Sequence, residues 1–167
     1  SKSADERFAI AKKIMERALE YGIPKRDIFI DCLTLTASAE QECVMETLRA
    51  LKRVKEELGL RTVLGVSNIS FGLPNRELIN HNFLTMALTY GLDLPIINPN
   101  VSSMTGAVRS YKLLTAIDMD SMEYIAAYNA AKQPAQSGKK ESSQNGDKQI
   151  SLAFAVEAGL KSEAGKI

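Results

Sequence analysis

The chain has 167 residues, 45% of them apolar, and its 21 basic and 20 acidic residues leave a formal net charge of +1. That length suits one domain with a sizeable core, the charge balance excludes the basic footprint of a nucleic-acid binder, and no run approaches the roughly eighteen apolar residues of a membrane span. A polar start unlike a signal peptide, with Cys32, Cys43 and His81 as the whole Cys/His inventory, reads as a cytoplasmic protein with reduced structural thiols and no metal site.

In chain order, Ser3 and Glu6 form a capping box for a first helix. Phe8, Ala11, Ile14, Met15 and Ala18 make its apolar face, and it closes at Tyr21 and Gly22. After a turn at Pro24 to Asp27, the short apolar run Ile28, Phe29, Ile30 ends on Asp31. Ser38 and Gln41 repeat the capping-box signal ahead of a long helix striped by Val44, Leu48, Leu51, Val54 and Leu58 and stopped by Gly59.

A buried strand from Thr62 to Val66 follows, with a polar tip at Ser67 and Asn68, then a loop holding Gly72 and Pro74. The next helix starts near Asn75, carries Leu78, Phe83, Met86, Ala87 and Tyr90, and ends at Gly91. Leu94 to Ile97 is a third strand, tipped by Asn98 and halted by Pro99. A helix from Ser103 to Ala116 and another capped by Asp120, with Glu123 in the capping-box position, complete the compact region. Met104, Met119 and Met122 read as packing residues, and His81 as a surface residue of its helix.

The segments YGIPKRDIFID, LGLRTVLGVSN and YGLDLPIIN share one design: a helix-ending glycine, a few turn residues, an apolar strand, then a polar residue. Their spacing is that of a strand, helix, strand crossover, so the chain is α/β, built of about three consecutive parallel βα units. Continuous apolar runs imply strands buried on both faces. Neither GxGxxG nor GxxxxGK[ST] is present, which disfavours an open sheet with a phosphate turn. A (β/α)8 barrel fits better, because its ligands are held at the C-terminal strand ends, where Asp31, Asn68 and Asn98 fall. A full barrel needs about 200 residues or more, so three units read as the C-terminal portion of one.

Residues 1–131 form that portion. From 132 to 149 the Gln, Ser, Gly, Lys and Pro content is that of a flexible linker. Residues 150–167 place Leu152, Ala155, Val156 and Leu160 on one side of a short amphipathic helix.

Alone, the strand-tip residues admit two site readings and a structural one. Gly65, Ser67, Ser70 and Gly72 could cradle a phosphate at the following helix N-terminus, or Asp31 and Asn68 could hold a polar ligand. Equally, Asp31 and Asn68 are ordinary turn and cap residues, and Arg76 an ordinary solvated helix residue.

LGVSNISFGLPNRELIN, with FIDCL upstream and YGLDLPIINPN downstream, resembles the last three strands of the pterin-binding barrel of the cobalamin-dependent methionine synthase family. It is similar too to the methyltetrahydrofolate:corrinoid methyltransferases and, more distantly, to dihydropteroate synthase. ISLAFAVEAGLKSEA is similar to the first helix of the cap over methylcobalamin that follows this barrel in the family.

The resemblance implies a methyltransferase that moves the N5 methyl of methyltetrahydrofolate to reduced cobalamin. Asp31 matches the family's pterin-binding aspartate, and Asn68 the asparagine near N5, acting by hydrogen bonding because an amide does not titrate near neutrality. Gly65 and Ser67 match positions that let the pterin approach. Arg76 matches a family arginine, for which the benzoyl-glutamate tail is a chemically suitable partner, and Asn98 is a further contact at the strand mouth. The cobalamin signature DxHxxG is missing, as is the Cys-rich zinc site for homocysteine, so cobalamin and zinc would sit on other domains. A cobalamin-binding domain or corrinoid protein is the implied partner, the isolated chain is expected to be inactive, and its open barrel edge is a surface for self-association. A non-catalytic piece that completes a barrel with a partner chain is the remaining alternative.

Overall fold

The structure, a computed structural model, describes residues 2–129. The expected linker at 132–149 and helical tail at 150–167 lie outside the described residues.

The element order is α1 (Ala4–Glu20), β1 (Phe29–Asp31), α2 (Cys43–Arg53), β2 (Arg61–Gly65), α3 (Arg76–Thr89), β3 (Leu94–Ile96), α4 (Ser102–Leu114) and α5 (Met122–Asn129). The three strands form one parallel sheet in the order β1, β2, β3, so each crossover returns to the neighbouring position, as expected of consecutive βα units. Phe29 pairs with Arg61 and Asp31 with Val63, while Val63 pairs with Leu94 and Gly65 with Ile96.

The pleat then sorts the side chains. Ile30, Thr62 and Leu64 point into a core that includes Leu48, Leu51, Val54, Val66 and Leu84, all fully buried. Phe29, Leu94 and Ile96 lie on the opposite face and are exposed, with Val63 half-buried beside them. Burial on both faces is therefore not what the described residues show. Their helices cover one face, and the apolar residues of the other stand open.

Helix ends follow local chemistry in most places. Ser3 Oγ accepts the Glu6 N–H at 3.2 Å, the first half of the expected box, but the Glu6 carboxylate takes the Lys2 N–H rather than that of Ser3. Gly22, Gly59 and Gly91 adopt φ of 79°, 67° and 95°, which glycine enters without a Cβ penalty. Beyond Arg53 the second helix widens into a π turn over Val54–Leu58 before Gly59 stops it.

Several expectations need correction. Ser38 does not cap the second helix: that helix begins at Cys43, and the Ser38 hydroxyl donates instead to Phe71 O at 2.8 Å. Asp120 does not cap the fifth. Asp118 does, its two carboxylate oxygens accepting the N–H groups of Glu123 and Tyr124 at 2.9 Å each. The middle strand runs Arg61–Gly65, one residue earlier than read, because Val66 already belongs to a 3₁₀ turn, Val66–Ser70. In α3 the buried face is Phe83, Leu84, Ala87 and Leu88, leaving Leu78 and Met86 exposed; Ile14 of α1 is also exposed. Met104 packs in the core, whereas Met119 and Met122 do not.

Candidate functional site

The C-terminal ends of β1 and β2 carry two polar side chains on the exposed side of the sheet. Asp31 is the last residue of β1, and its Oδ1 accepts the Leu33 N–H at 2.8 Å, closing a tight turn. Leu33 pays for that turn with a φ of 60°, a region that costs a non-glycine residue about 1–2 kcal/mol. The conformation is held by Arg7, a buried guanidinium from α1 whose Nη1 donates to Cys32 O and Leu33 O at 3.1 Å each and to Thr47 Oγ1 at 2.5 Å. Between them lies Cys32, facing the opposite way into the core. Burial, with a smaller contribution from the neighbouring Asp31 carboxylate, pushes its thiol up to about 12, so it stays a thiol at neutral pH.

Asn68 sits in the 3₁₀ turn that follows β2 directly. Its backbone is tied down while its side chain is not. Thr36 Oγ1 donates to Asn68 O at 3.1 Å, the Ala37 N–H to Ile69 O at 2.9 Å, and Ser38 Oγ to Phe71 O, so the loop after β1 straps this turn. From the far end, Arg76 Nη2 donates to Ser67 O and Arg76 Nε to Ser70 Oγ, both at 3.0 Å, and the guanidinium stands 4.6 Å from the centroid of the Phe71 ring.

The Asn68 amide itself makes no hydrogen bond among the described residues. It folds back over Gly65, where its Nδ2 would lie 3.1 Å from a Cβ. Gly65 has an ordinary φ of −75°, so the position calls for glycine through space and not through backbone conformation.

Asp31 and Gly65 are on adjacent strands and on the same face, two register steps apart by way of Val63. Strand spacing and rise put them about 8 Å from each other. The structure thus brings Asp31, Gly65, Ser67 and Asn68 to one corner, with Arg76 behind Ser67. Asn98 is exposed two residues past β3, and its Oδ1 accepts the Asn100 N–H at 3.0 Å; no hydrogen bond joins it to the others.

Ser70 is fully buried, donating to Ser67 O and accepting from Arg76, which removes its hydroxyl from any phosphate cradle. His81 is on α3, with Nδ1 3.0 Å from Ser103 O. No group of three or more His, Cys, Asp or Glu suited to a metal ion occurs among the described residues, and none of the described helices is long and apolar enough to cross a membrane.

The sequence gives no sign of the roles of Arg7 and Thr36, and marks Ser38 only as a helix cap, because each acts on a backbone carbonyl remote in the chain. The alternation of Thr34, Thr36 and Ser38 beyond Asp31 is the only local hint.

The profile of the pterin binding enzyme family matches residues 2–98. A methylcorrinoid:tetrahydrofolate methyltransferase of Eubacterium limosum is 27% identical over 131 residues, 78% of this chain and 48% of that protein. The methionine synthases of Mycobacterium leprae and Mycobacterium tuberculosis are 33% and 32% identical over 106 residues, 59% of this chain and 9% of each enzyme. The chain thus spans about half the length of the first relative and under a tenth of the other two.

Proposed function

Since this chain belongs to the pterin binding enzyme family, we propose that its three βα units are the C-terminal part of a (β/α)8 barrel of the dihydropteroate synthase-like type. That barrel binds 5-methyltetrahydrofolate and exchanges the N5 methyl group with a corrinoid. The observation that carries this reading is the placement of Asp31 and the unengaged Asn68 amide at neighbouring strand ends on the exposed face. In a barrel that face turns inward, and the C-terminal strand ends form the ligand mouth. The similarity to methionine synthases and to a methylcorrinoid:tetrahydrofolate methyltransferase supports it.

In this reading the Asp31 carboxylate accepts N–H groups from the planar 2-amino-4-oxo edge of the pterin. Gly65 and Ser67 let the ring approach, and Asn98 contacts it at the rim. N5 is a poor leaving group unless positive charge on it is stabilised. The Asn68 amide oxygen accepts a hydrogen bond from the N5–H of the protonated ring, which favours the positive charge that makes N5 a better leaving group. Asn68 holds the proton without supplying it, so the proton reaches N5 through water.

The corrinoid supplies the cobalt that carries the methyl group. The described residues do not fit a corrinoid-binding role: the only histidine, His81 of α3, has its Nδ1 against Ser103 O of α4. A cobalamin domain or corrinoid protein is therefore the partner, and any zinc-bound homocysteine belongs to another domain.

The test is titration of the ¹⁵N-labelled chain with 5-methyltetrahydrofolate, with inorganic phosphate as the control. Shifts concentrated at Asp31, Gly65 and Asn68 are expected with the folate alone. Equal shifts with phosphate, or folate shifts scattered away from this corner, would overturn the reading. The isolated chain should transfer no methyl group to free cob(I)alamin, since Asp31 and Asn68 wall the pterin on one side. Within a complete barrel, Asn68→Ala should lower kcat about 10²–10³-fold, the usual loss when one preorganised transition-state contact is removed.

A second reading, completion of a barrel by a partner chain without catalysis of its own, draws on the same exposed face and on a groove of about 230 Å³ beside β1, lined by Ile10, Ile14 and Ile30. Binding of folate at Asn68 separates the two.

A further inference from the structure

We infer that Thr36 and Arg76 are positioning residues for Asn68, holding the carbonyls of its turn from two different segments so that its amide starts from a fixed backbone beside Gly65. The inference rests on the methyl-exchange reading for its purpose, but its geometry stands independently of any ligand.

A 3₁₀ turn of five residues leaves most of its carbonyls without partners inside the turn, and such a turn on a strand end would sample several conformations. Here the carbonyls are taken one after another. Ser67 O accepts from Arg76 Nη2 and from Ser70 Oγ, Asn68 O from Thr36 Oγ1, Ile69 O from the Ala37 N–H, and Phe71 O from Ser38 Oγ. Val66, Ile69 and Ser70 are buried and anchor the turn below, while Asn68 presents an exposed amide that makes no hydrogen bond among the described residues. An amide that must meet a charge developing at one atom gains from a backbone that is fixed before the ligand arrives.

The two residues act differently. Thr36 reaches across from the loop after β1, so it also couples the Asn68 turn to the strand that ends in Asp31. Arg76 opens α3, directly after Asn75 in the left-handed region at φ 47°, and spends its donors on Ser67 O and Ser70 Oγ while its face meets Phe71. A guanidinium so engaged supports the turn; the folate tail is not needed to explain its place.

The experiment compares the ¹⁵N-labelled chain with its Thr36→Val, Thr36→Ser, Arg76→Gln and Arg76→Lys variants. Thr36→Val removes a hydroxyl at nearly constant shape. Thr36→Val and Arg76→Gln should drop the Asn68 backbone order parameter from about 0.85 to below about 0.6, with resonances of Leu48 and Leu64 unchanged. Thr36→Ser should restore Asn68, whereas Arg76→Lys, lacking the planar fork, should restore it only in part. An unchanged Asn68 order parameter in Thr36→Val, or a loss matched at Leu48 and Leu64, would overturn the inference.

Adding 5-methyltetrahydrofolate separates this from the functional reading. Folate-induced shifts at Asn68 that weaken about tenfold in Thr36→Val support both. No folate response in the unsubstituted chain overturns the functional reading, and the order parameters alone then decide the positioning role.

Discussion

The two faces of the three-stranded sheet are built from similar residues and end in opposite environments. On the helix-covered face Ile30 is 5% exposed and Thr62 and Leu64 not at all, whereas on the other Phe29 is 41%, Leu94 48% and Ile96 61% exposed. A sheet with solvent on one side by design alternates apolar and polar residues. This one does not, since the exposed row is itself mostly apolar, and every expected ligand-binding side chain on the strands lies along that row's C-terminal end. The covered face makes the chain fold; the exposed face is composed for burial against something else and holds the proposed ligand site.

The sharpest way to break this contrast is a pair of truncations. Leu64→Ala should cost about 2–5 kcal/mol by emptying a close-packed site, and Leu94→Ala on the exposed row no more than about 0.5 kcal/mol, both measured by urea denaturation. Similar losses would mean that the exposed row is covered in solution, and sedimentation would then show whether a second copy covers it.

That outcome bears on what the sequence could reveal. The βα repeat was legible because its signals are local: glycine at each helix end, apolar strands, and polar tips at Asp31, Asn68 and Asn98. Its uncovered face was not, since an apolar run looks the same whether or not its partner layer is present. Caps misled where a tertiary acceptor competed, as when the Ser38 hydroxyl went to Phe71 O instead of its own helix. In α3, apolar residues occur nearly all round, so periodicity did not choose between Leu78 and Leu84. Of the candidate site, the polar residues at the strand ends, Asp31 and Asn68, could be read from sequence. The set that fixes them, Arg7, Thr36 and Ser38, could not, because hydrogen bonds to distant carbonyls leave no pattern.

Neighbours on one strand end extend the comparison to pH. Asp31 looks out and Cys32 in, with the thiol raised from its usual 9 to about 12 by burial. The unfolded chain loses that proton first as pH rises, so it binds fewer protons than the native state and stability falls, beginning near pH 9 and continuing to about 12. By pH 10 the loss from this group should be roughly 1 kcal/mol. Cys32→Ala, compared with the parent chain by thermal melts at pH 7 and 10, should show a smaller alkaline drop; an equal drop would mean that the thiol is accessible to water.

On the exposed row itself, Arg61 stands 5.4 Å from the centroid of the Phe29 ring across the strand pair. Arg61→Ala should cost about 0.5 kcal/mol, the ordinary worth of a solvated cation–π contact. A loss above 2 kcal/mol by the same denaturation would show that this row is not solvated.

The smallest expected change in stability is the most informative about the site. Gly65 is on the exposed face, and the atoms nearest a Cβ there belong to Asn68, with Nδ2 at 3.1 Å and Cγ at 3.7 Å. The backbone at φ −75° and ψ 90° accepts alanine, and the obstructing atom ends an exposed side chain that can swing aside. Alanine also restricts the unfolded chain, an effect worth about 0.4–1 kcal/mol in favour of folding, which offsets the local crowding. Gly65→Ala should therefore leave stability within about 0.5 kcal/mol while displacing the Asn68 amide, seen as a changed side-chain ¹⁵N–¹H resonance with an unchanged Asn68 backbone signal. Folate binding, if it uses that amide, should weaken in step. A Gly65→Ala chain with both Asn68 signals unmoved would place the amide elsewhere and detach Gly65 from the site; loss of stability above 1 kcal/mol would instead mean that Asn68 cannot yield, so that its side chain is held as firmly as its backbone.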